Sequence, residues 1–153
     1  MALQVLYEVD ATAHPMADAL DARLEDRPLK YRSDVSFVRK LTYGVTRNWD
    51  VINSILTRYA PDWPLDQMGI VDRNILRIAI YEIGGMPNTS LQIAINEAVE
   101  LAKRYGSTST AKFINGVLST LADHENDIIQ QIVPNVGSAD DDSLDDDEEW
   151  EDE

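Results

Sequence analysis

Residues able to do chemistry are few in this chain and poorly grouped. There are two histidines, His14 and His124, and no cysteine. His124 opens His124-Glu125-Asn126-Asp127, which lacks the second histidine that a helical zinc motif places one turn further on. Both histidines read as surface residues near helix ends, where the helix dipole tolerates an imidazolium. Without a thiol there is no cysteine nucleophile, no disulfide framework and no thiolate-bound zinc. Gly84-Gly85 follows a helical pattern instead of a strand, so it does not make a phosphate loop, and no Gly-x-Ser-x-Gly elbow occurs. Asn96-Glu97 with Glu100 reads first as one helix face. With no acid, base and nucleophile in a common pattern, the chain reads as a binding protein and not an enzyme, with no metal and no cofactor.

Binding chemistry is better represented. Lys112 and Phe113 lie near the start of a helix that follows Ser107 to Thr110. Free amides, the hydroxyls of Ser109 and Thr110 and one lysine at a helix N-terminus suit a phosphate. Phe113 is either part of that surface or core, since Val117 lies four residues on. Arg77 follows Arg73 by one helical turn in a very apolar stretch, so a buried guanidinium there needs an anionic partner. Glu97 or Glu100 on the next helix offers one; the other reading is a surface role for Arg77. Arg27, Lys30 and Arg32 form a basic loop and Lys103-Arg104 a basic helix end, each with small expected effect.

The elements that must position these residues are helical. Leu3, Leu6 and Tyr7 make one apolar stripe, and His14-Pro15 a turn. Met16, Leu20 and Leu24 recur at four-residue spacing up to Arg27-Pro28. A long third helix, capped by Ser33 or Asp34, carries Phe37, Val38, Leu41, Val45, Trp49, Ile52, Ile55, Leu56 and Tyr59 and stops before Pro61. After Asp62-Trp63-Pro64, a helix opening at Asp66 is apolar nearly all round from Ile70 to Ile83, which makes it central. Another holds Ile93, Ala94, Ala98, Leu101, Ala102 and Tyr105 and closes at Gly106. Ser107 to Ser109 cap the next, striped by Ile114, Val117, Leu118 and Leu121. A short segment from Ile128 to Val133 ends at Pro134. The fold class is therefore all-α, about seven helices in two packed halves, near 1–61 and 66–133, within a helical domain of 1–137.

A formal charge of −15 would by itself argue against nucleic acid. Eleven of the 28 acidic residues, however, fall between 138 and 153 with no basic residue among them. Residues 1–137 keep 17 acids against 13 bases, a net of −4. The 138–153 tail reads as disordered, because only Leu144 and Trp150 offer apolar area against an ordering cost of roughly 1–2 kcal/mol per residue. Its expected role is solvation, or competition with RNA for the basic surface. No run approaches the ~20 apolar residues of a membrane span, and a cytoplasmic setting is expected.

Three phrases are more specific than periodicity: Leu76-Arg77-Ile78-Ala79-Ile80-Tyr81-Glu82-Ile83, then Ala94-Ile95-Asn96-Glu97-Ala98-Val99-Glu100-Leu101-Ala102-Lys103, then Lys112-Phe113-Ile114-Asn115-Gly116-Val117-Leu118. In order and spacing, together with Ala2-Leu3-Gln4-Val5-Leu6-Tyr7 and Phe37-Val38-Arg39-Lys40-Leu41 to Gly44-Val45, they closely resemble the NusB family of transcription antitermination factors over about residues 2–122. The resemblance implies an all-helical protein that pairs with the ribosomal protein NusE. It also implies binding to boxA-type RNA of nascent ribosomal RNA within the RNA polymerase antitermination complex, without catalysis or membrane.

The resemblance further implies an RNA-facing position for Tyr7, where a ring could stack on an unpaired base; core packing beside Leu3 and Leu6 is the other reading. It sets Asp72, Arg77 and Glu82 on the helix used near the ribosomal-protein partner, where an acidic edge suits a basic protein and a solvated face is the alternative. Homodimerisation through the same surfaces is a possibility the resemblance carries. Family members precede the first motif with an arginine-rich stretch, so the natural start is expected upstream of Met1. Another function class, a helical interaction module with the partner surface but weak or no RNA binding, fits a missing basic arm and the acidic tail.

Overall fold

A computed structural model describes residues 1–133; the 138–153 tail lies outside the described residues. Helices α1 (Ala2–Thr12), α2 (Met16–Asp26), α3 (Arg32–Arg47) and α4 (Trp49–Tyr59) are followed by a short 3-10 turn at Leu65–Gln67. Then come α5 (Ile70–Gly85), α6 (Leu91–Tyr105), α7 (Thr108–Ala122) and α8 (Glu125–Gln131). The architecture is all-α, and α5 is its axis. Its Ile75, Leu76, Ile78, Ile80, Tyr81 and Ile83 are all buried. It packs against α1, α3, α4, α6, α7 and α8, as its all-round apolar pattern requires.

The main difference between sequence expectation and structure comes from a contact between distant residues. The long third helix is two helices, broken at Asn48, so the described residues hold eight α-helices where about seven were expected. Asn48 is buried, and its side-chain amide donates to the Gly44 carbonyl at 2.8 Å and to the Val133 carbonyl at 2.9 Å. Its Oδ1 accepts from the Val133 amide at 2.8 Å. The break thus satisfies both backbone groups of a residue 85 positions away, which no stripe of apolar residues reveals. Neither Ser33 nor Asp34 caps α3, which starts after Tyr31 without a side-chain cap. Ser90 and Ser107 do cap α6 and α7, accepting from the Ile93 and Thr110 amides at 3.2 Å.

Two close approaches set the packing of α5. A side chain on Gly44 of α3 would sit about 2.0 Å from the Tyr81 ring, and one on Gly84 would meet Ile132 at 2.6 Å. Bare backbone at these positions lets α3 and the chain after α8 lie directly on α5. At the end of α1, Ala13 has φ 63°, a left-handed conformation costly for a residue with a Cβ. Ala13→Gly is expected to raise unfolding free energy by about 1 kcal/mol in urea denaturation.

Candidate RNA and partner interfaces

On α1 the buried face is Ala2, Leu3, Val5 and Leu6, which leaves Tyr7 outside the core at 44% exposure. Gln4 lies one turn back on the same side of the helix. Its amide donates to the Tyr105 hydroxyl at 2.9 Å, tying α1 to the last residue of α6. Tyr105 is itself exposed, contrary to its place in the expected apolar stripe; it follows Leu101, which is only half-buried, at the stripe's edge. Phe37 and Ile93, also expected inside, are exposed as well.

Directly after Tyr105, Gly106 closes α6 and Ser107 caps α7. Ser107 occupies the Thr110 amide and lies 3.3 Å from the Thr110 hydroxyl, so the earlier amides of the turn and the exposed Ser109 hydroxyl remain available. Lys112 is exposed one turn into α7. Phe113 is half-buried and meets Trp63 edge-on, with centroids 6.2 Å apart. The Gln4–Tyr105 hydrogen bond thus ties α1, which carries Tyr7, to the end of α6, directly before the segment that holds Ser109, Thr110 and Lys112. Gln4, Tyr105 and Trp63, which contact residues of the candidate surface or their helices, were not singled out from the sequence as candidates. Only contacts between distant segments bring them there.

The residues expected at a partner edge go to three different places. Asp72 is half-buried in the first turn of α5, and burial raises its carboxyl above its ordinary pKa. Arg77 is 4% exposed and does not pair with Glu97 or Glu100. It faces α1 and α4: it donates to Asp10 at 2.8 Å and to Asn53 at 3.0 Å, and its guanidinium lies 3.8 Å over the Trp49 ring. Asp10 also accepts from Arg73 at 2.6 and 2.8 Å and from Asn74 at 2.9 Å. Burial alone would raise the Asp10 pKa, yet these donors outweigh it and hold the carboxyl below its ordinary value.

Glu82 is buried on the opposite side of α5, beside Glu97 of α6. Burial first, then the hydrogen bond and charge of Glu97, push its pKa up to about 9. Because Glu82 keeps its proton in the folded chain and loses it near the ordinary carboxylate range when unfolded, its contribution to stability is largest below about pH 4.5 and is lost as pH rises toward 9. Glu82→Gln should therefore stabilise the fold at pH 8–9 and change little at pH 4–5, a difference that thermal unfolding at both pH values measures.

The histidines sit near helix ends. His14 Nδ1 is 3.1 Å from Glu8, and His124 stacks on Tyr59 with centroids 4.1 Å apart. Among the described residues no cluster of three or more His, Asp or Glu is arranged to hold a metal, and no helix is long and apolar enough to cross a membrane.

The described residues form an all-helical fold with exposed aromatic, hydroxyl and cationic side chains on α1, α6 and α7. The NusB family model matches residues 1–123, and the chain belongs to the NusB family. It is 43% identical over 122 residues to the transcription antitermination protein NusB of Chloroflexus aggregans, covering 78% of this chain and 81% of that protein. With the NusB of Roseiflexus castenholzii it shares 44% over 123 residues, 79% of this chain and 86% of that one. Among solved structures it resembles NusB from the crystal structure of antitermination factors NusB and NusE in complex with double-stranded RNA. The TM-score is 0.75 at 26% identity, with 80% and 91% of the two chains covered. T. maritima NusB superposes with a TM-score of 0.69 at 27% identity over 88% and 89%.

Proposed function

We propose that this chain is a transcription antitermination factor that binds boxA-type RNA of nascent ribosomal RNA together with NusE, and acts in the cytoplasm by binding without catalysis. The observation that carries the RNA reading is the hydrogen bond by which Gln4, one turn from exposed Tyr7, holds Tyr105 just before the start of α7. Two solvent-facing rings provide stacking platforms, and the hydroxyls and Lys112 lie where a backbone phosphate would follow. Single-stranded RNA suits such a surface, because splayed bases can stack on rings that a closed duplex does not reach. Membership of the NusB family supports both the RNA and the NusE assignment.

Fluorescence anisotropy with a boxA RNA oligonucleotide tests the face directly. Tyr7→Ala should weaken binding by about 1–3 kcal/mol, roughly fivefold to a hundredfold, through lost stacking. Lys112→Ala should weaken it less and lower the slope of log affinity against log salt by about one, as expected for one phosphate contact. Wild-type affinity in both variants would remove this surface from the RNA site.

A further inference from the structure

Positive charge is concentrated in one stretch of the folded part. Residues 27–47 hold six of the 13 Lys and Arg, namely Arg27, Lys30, Arg32, Arg39, Lys40 and Arg47, against one acid, Asp34, a net of +5. The rest of 1–137 has a net of −9. Along α3, Arg32, Arg39, Lys40, Tyr43 and Arg47 recur at helical spacing on the side turned away from buried Val38, Leu41 and Val45. Exposed Arg27 and Lys30 extend this strip beyond the start of the helix, and exposed Arg47 closes it. Asp26 and Asp50 flank it at its two ends. Tyr31 and Tyr43 are exposed within it. Elsewhere Arg73 and Arg77 are paired with Asp10, and Lys103 with Glu100.

The point at which the described chain ends selects what covers this strip. Asn48, which directly follows Arg47, holds both backbone groups of Val133, at 2.8 and 2.9 Å. The chain therefore leaves the fold at the Arg47 end of the strip. Four residues later begins the 138–153 segment, with 11 acids and no base. Its 16 residues span about 50 Å when extended, whereas α3, also 16 residues, is roughly 24 Å long. Starting point, reach and sign of charge agree. Nucleic acid has the right sign too, but a segment joined by so short a connection acts at a local concentration on the order of 1 mM. Its two large apolar residues also fit the strip. Leu144 and Trp150 are about 20 Å apart in extended chain, and Tyr43 and Tyr31 are roughly 18 Å apart along the helix.

We propose that residues 138–153 lie along the basic strip of α3 in the same chain, antiparallel to the helix, with Leu144 on Tyr43 and Trp150 on Tyr31, and screen the strip from unrelated nucleic acid. None of the strip's residues belongs to the surface read above as binding boxA RNA, and the inference stands apart from that reading. The attraction is between charges near the surface, so it weakens as salt shortens the Debye length.

A spin label on the full chain tests the proposal. Because the chain has no cysteine, Ser143→Cys takes one nitroxide. At low salt the α3 amide signals of the isotope-labelled protein should broaden far more than those of α7. The contrast should disappear at about 1 M salt, where the Debye length is about 3 Å. It should also disappear in the Arg27→Glu, Lys30→Glu, Arg47→Glu triple variant, whose fold thermal unfolding verifies. Equal broadening over the whole domain, or broadening centred on another face, overturns the proposal. So does broadening of α3 when nitroxide and isotope are on different chains, which would place the segment on a second copy. Replacing the 11 acids by Asn and Gln should raise affinity for oligo(A), an RNA without boxA, at least fivefold at low salt, and the triple variant should cancel that gain. No gain, or a gain that survives the triple variant, overturns the screening of this strip.

Discussion

Replacing Asp10 by alanine is expected to cost about 3–5 kcal/mol of unfolding free energy, the range for removing one partner of a buried ion pair. Asp10 is where α1 is fastened to α5: one carboxylate takes hydrogen bonds from Arg73, Arg77 and Asn74. Its loss leaves Arg77, 4% exposed, with Asn53, Asn74 and the Trp49 ring but no counter-charge. If the penalty comes from that stranded charge, Arg77→Met in the Asp10→Ala background should recover part of the stability, since an apolar side chain of similar length needs no anion. Urea unfolding of the three proteins checks this; additive losses in the double variant would show that the ion pair is not the cause. Acidification gives a second view. The Asp10 pKa is lowered on folding, so its stabilisation is present above the ordinary carboxylate range and disappears as pH falls through the folded value. Glu82 acts in the opposite direction, gaining as pH falls.

Gly44→Ala should be nearly as damaging, at about 3 kcal/mol or more, although it adds one methyl group. The new Cβ would stand about 2.0 Å from the Tyr81 ring, and Tyr81 is among the largest fully buried side chains. The ring cannot give way toward α5 itself, because Gly85 receives it as closely, with a would-be Cβ only 2.5 Å away. Relief therefore requires α3 to move off α5, which opens the core along Val38, Leu41 and Val45. A smaller residue at the ring position tests the explanation: Tyr81→Leu in the Gly44→Ala background should be less unstable than the two separate losses predict. If Gly44→Ala unfolds at the wild-type urea concentration, the close approach is not what positions α3.

Much of this fold was legible in the sequence because its signals are local. Apolar spacing located the helices, the continuous apolar run of α5 announced the central element, and Ser107 precedes the helix it caps. What could not be read there depends on residues far apart along the chain. The break at Asn48 exists to serve Val133. Arg77 was expected to need an anion, but Glu97 and Glu100 were nearer in sequence than Asp10, which is 67 residues away and on the helix that Arg77 faces.

The site follows the same pattern. Tyr7 and Lys112 were visible as residue types, whereas the Gln4–Tyr105 bond that ties α1 to α6 was not. Glu82 looked like part of an acidic edge and is instead buried against Glu97, because the rotation of α5 within the bundle, not its own sequence, decides which side meets α6.

Both faces are asked to act together, so cooperativity is the property that matters most. Anisotropy of a labelled boxA RNA should be recorded with this chain alone, with NusE alone and with an equimolar mixture, at low and at physiological salt. The mixture should bind at least tenfold more tightly than either protein, with an affinity that falls steeply with salt. An affinity for the mixture no greater than that of the tighter component would contradict it.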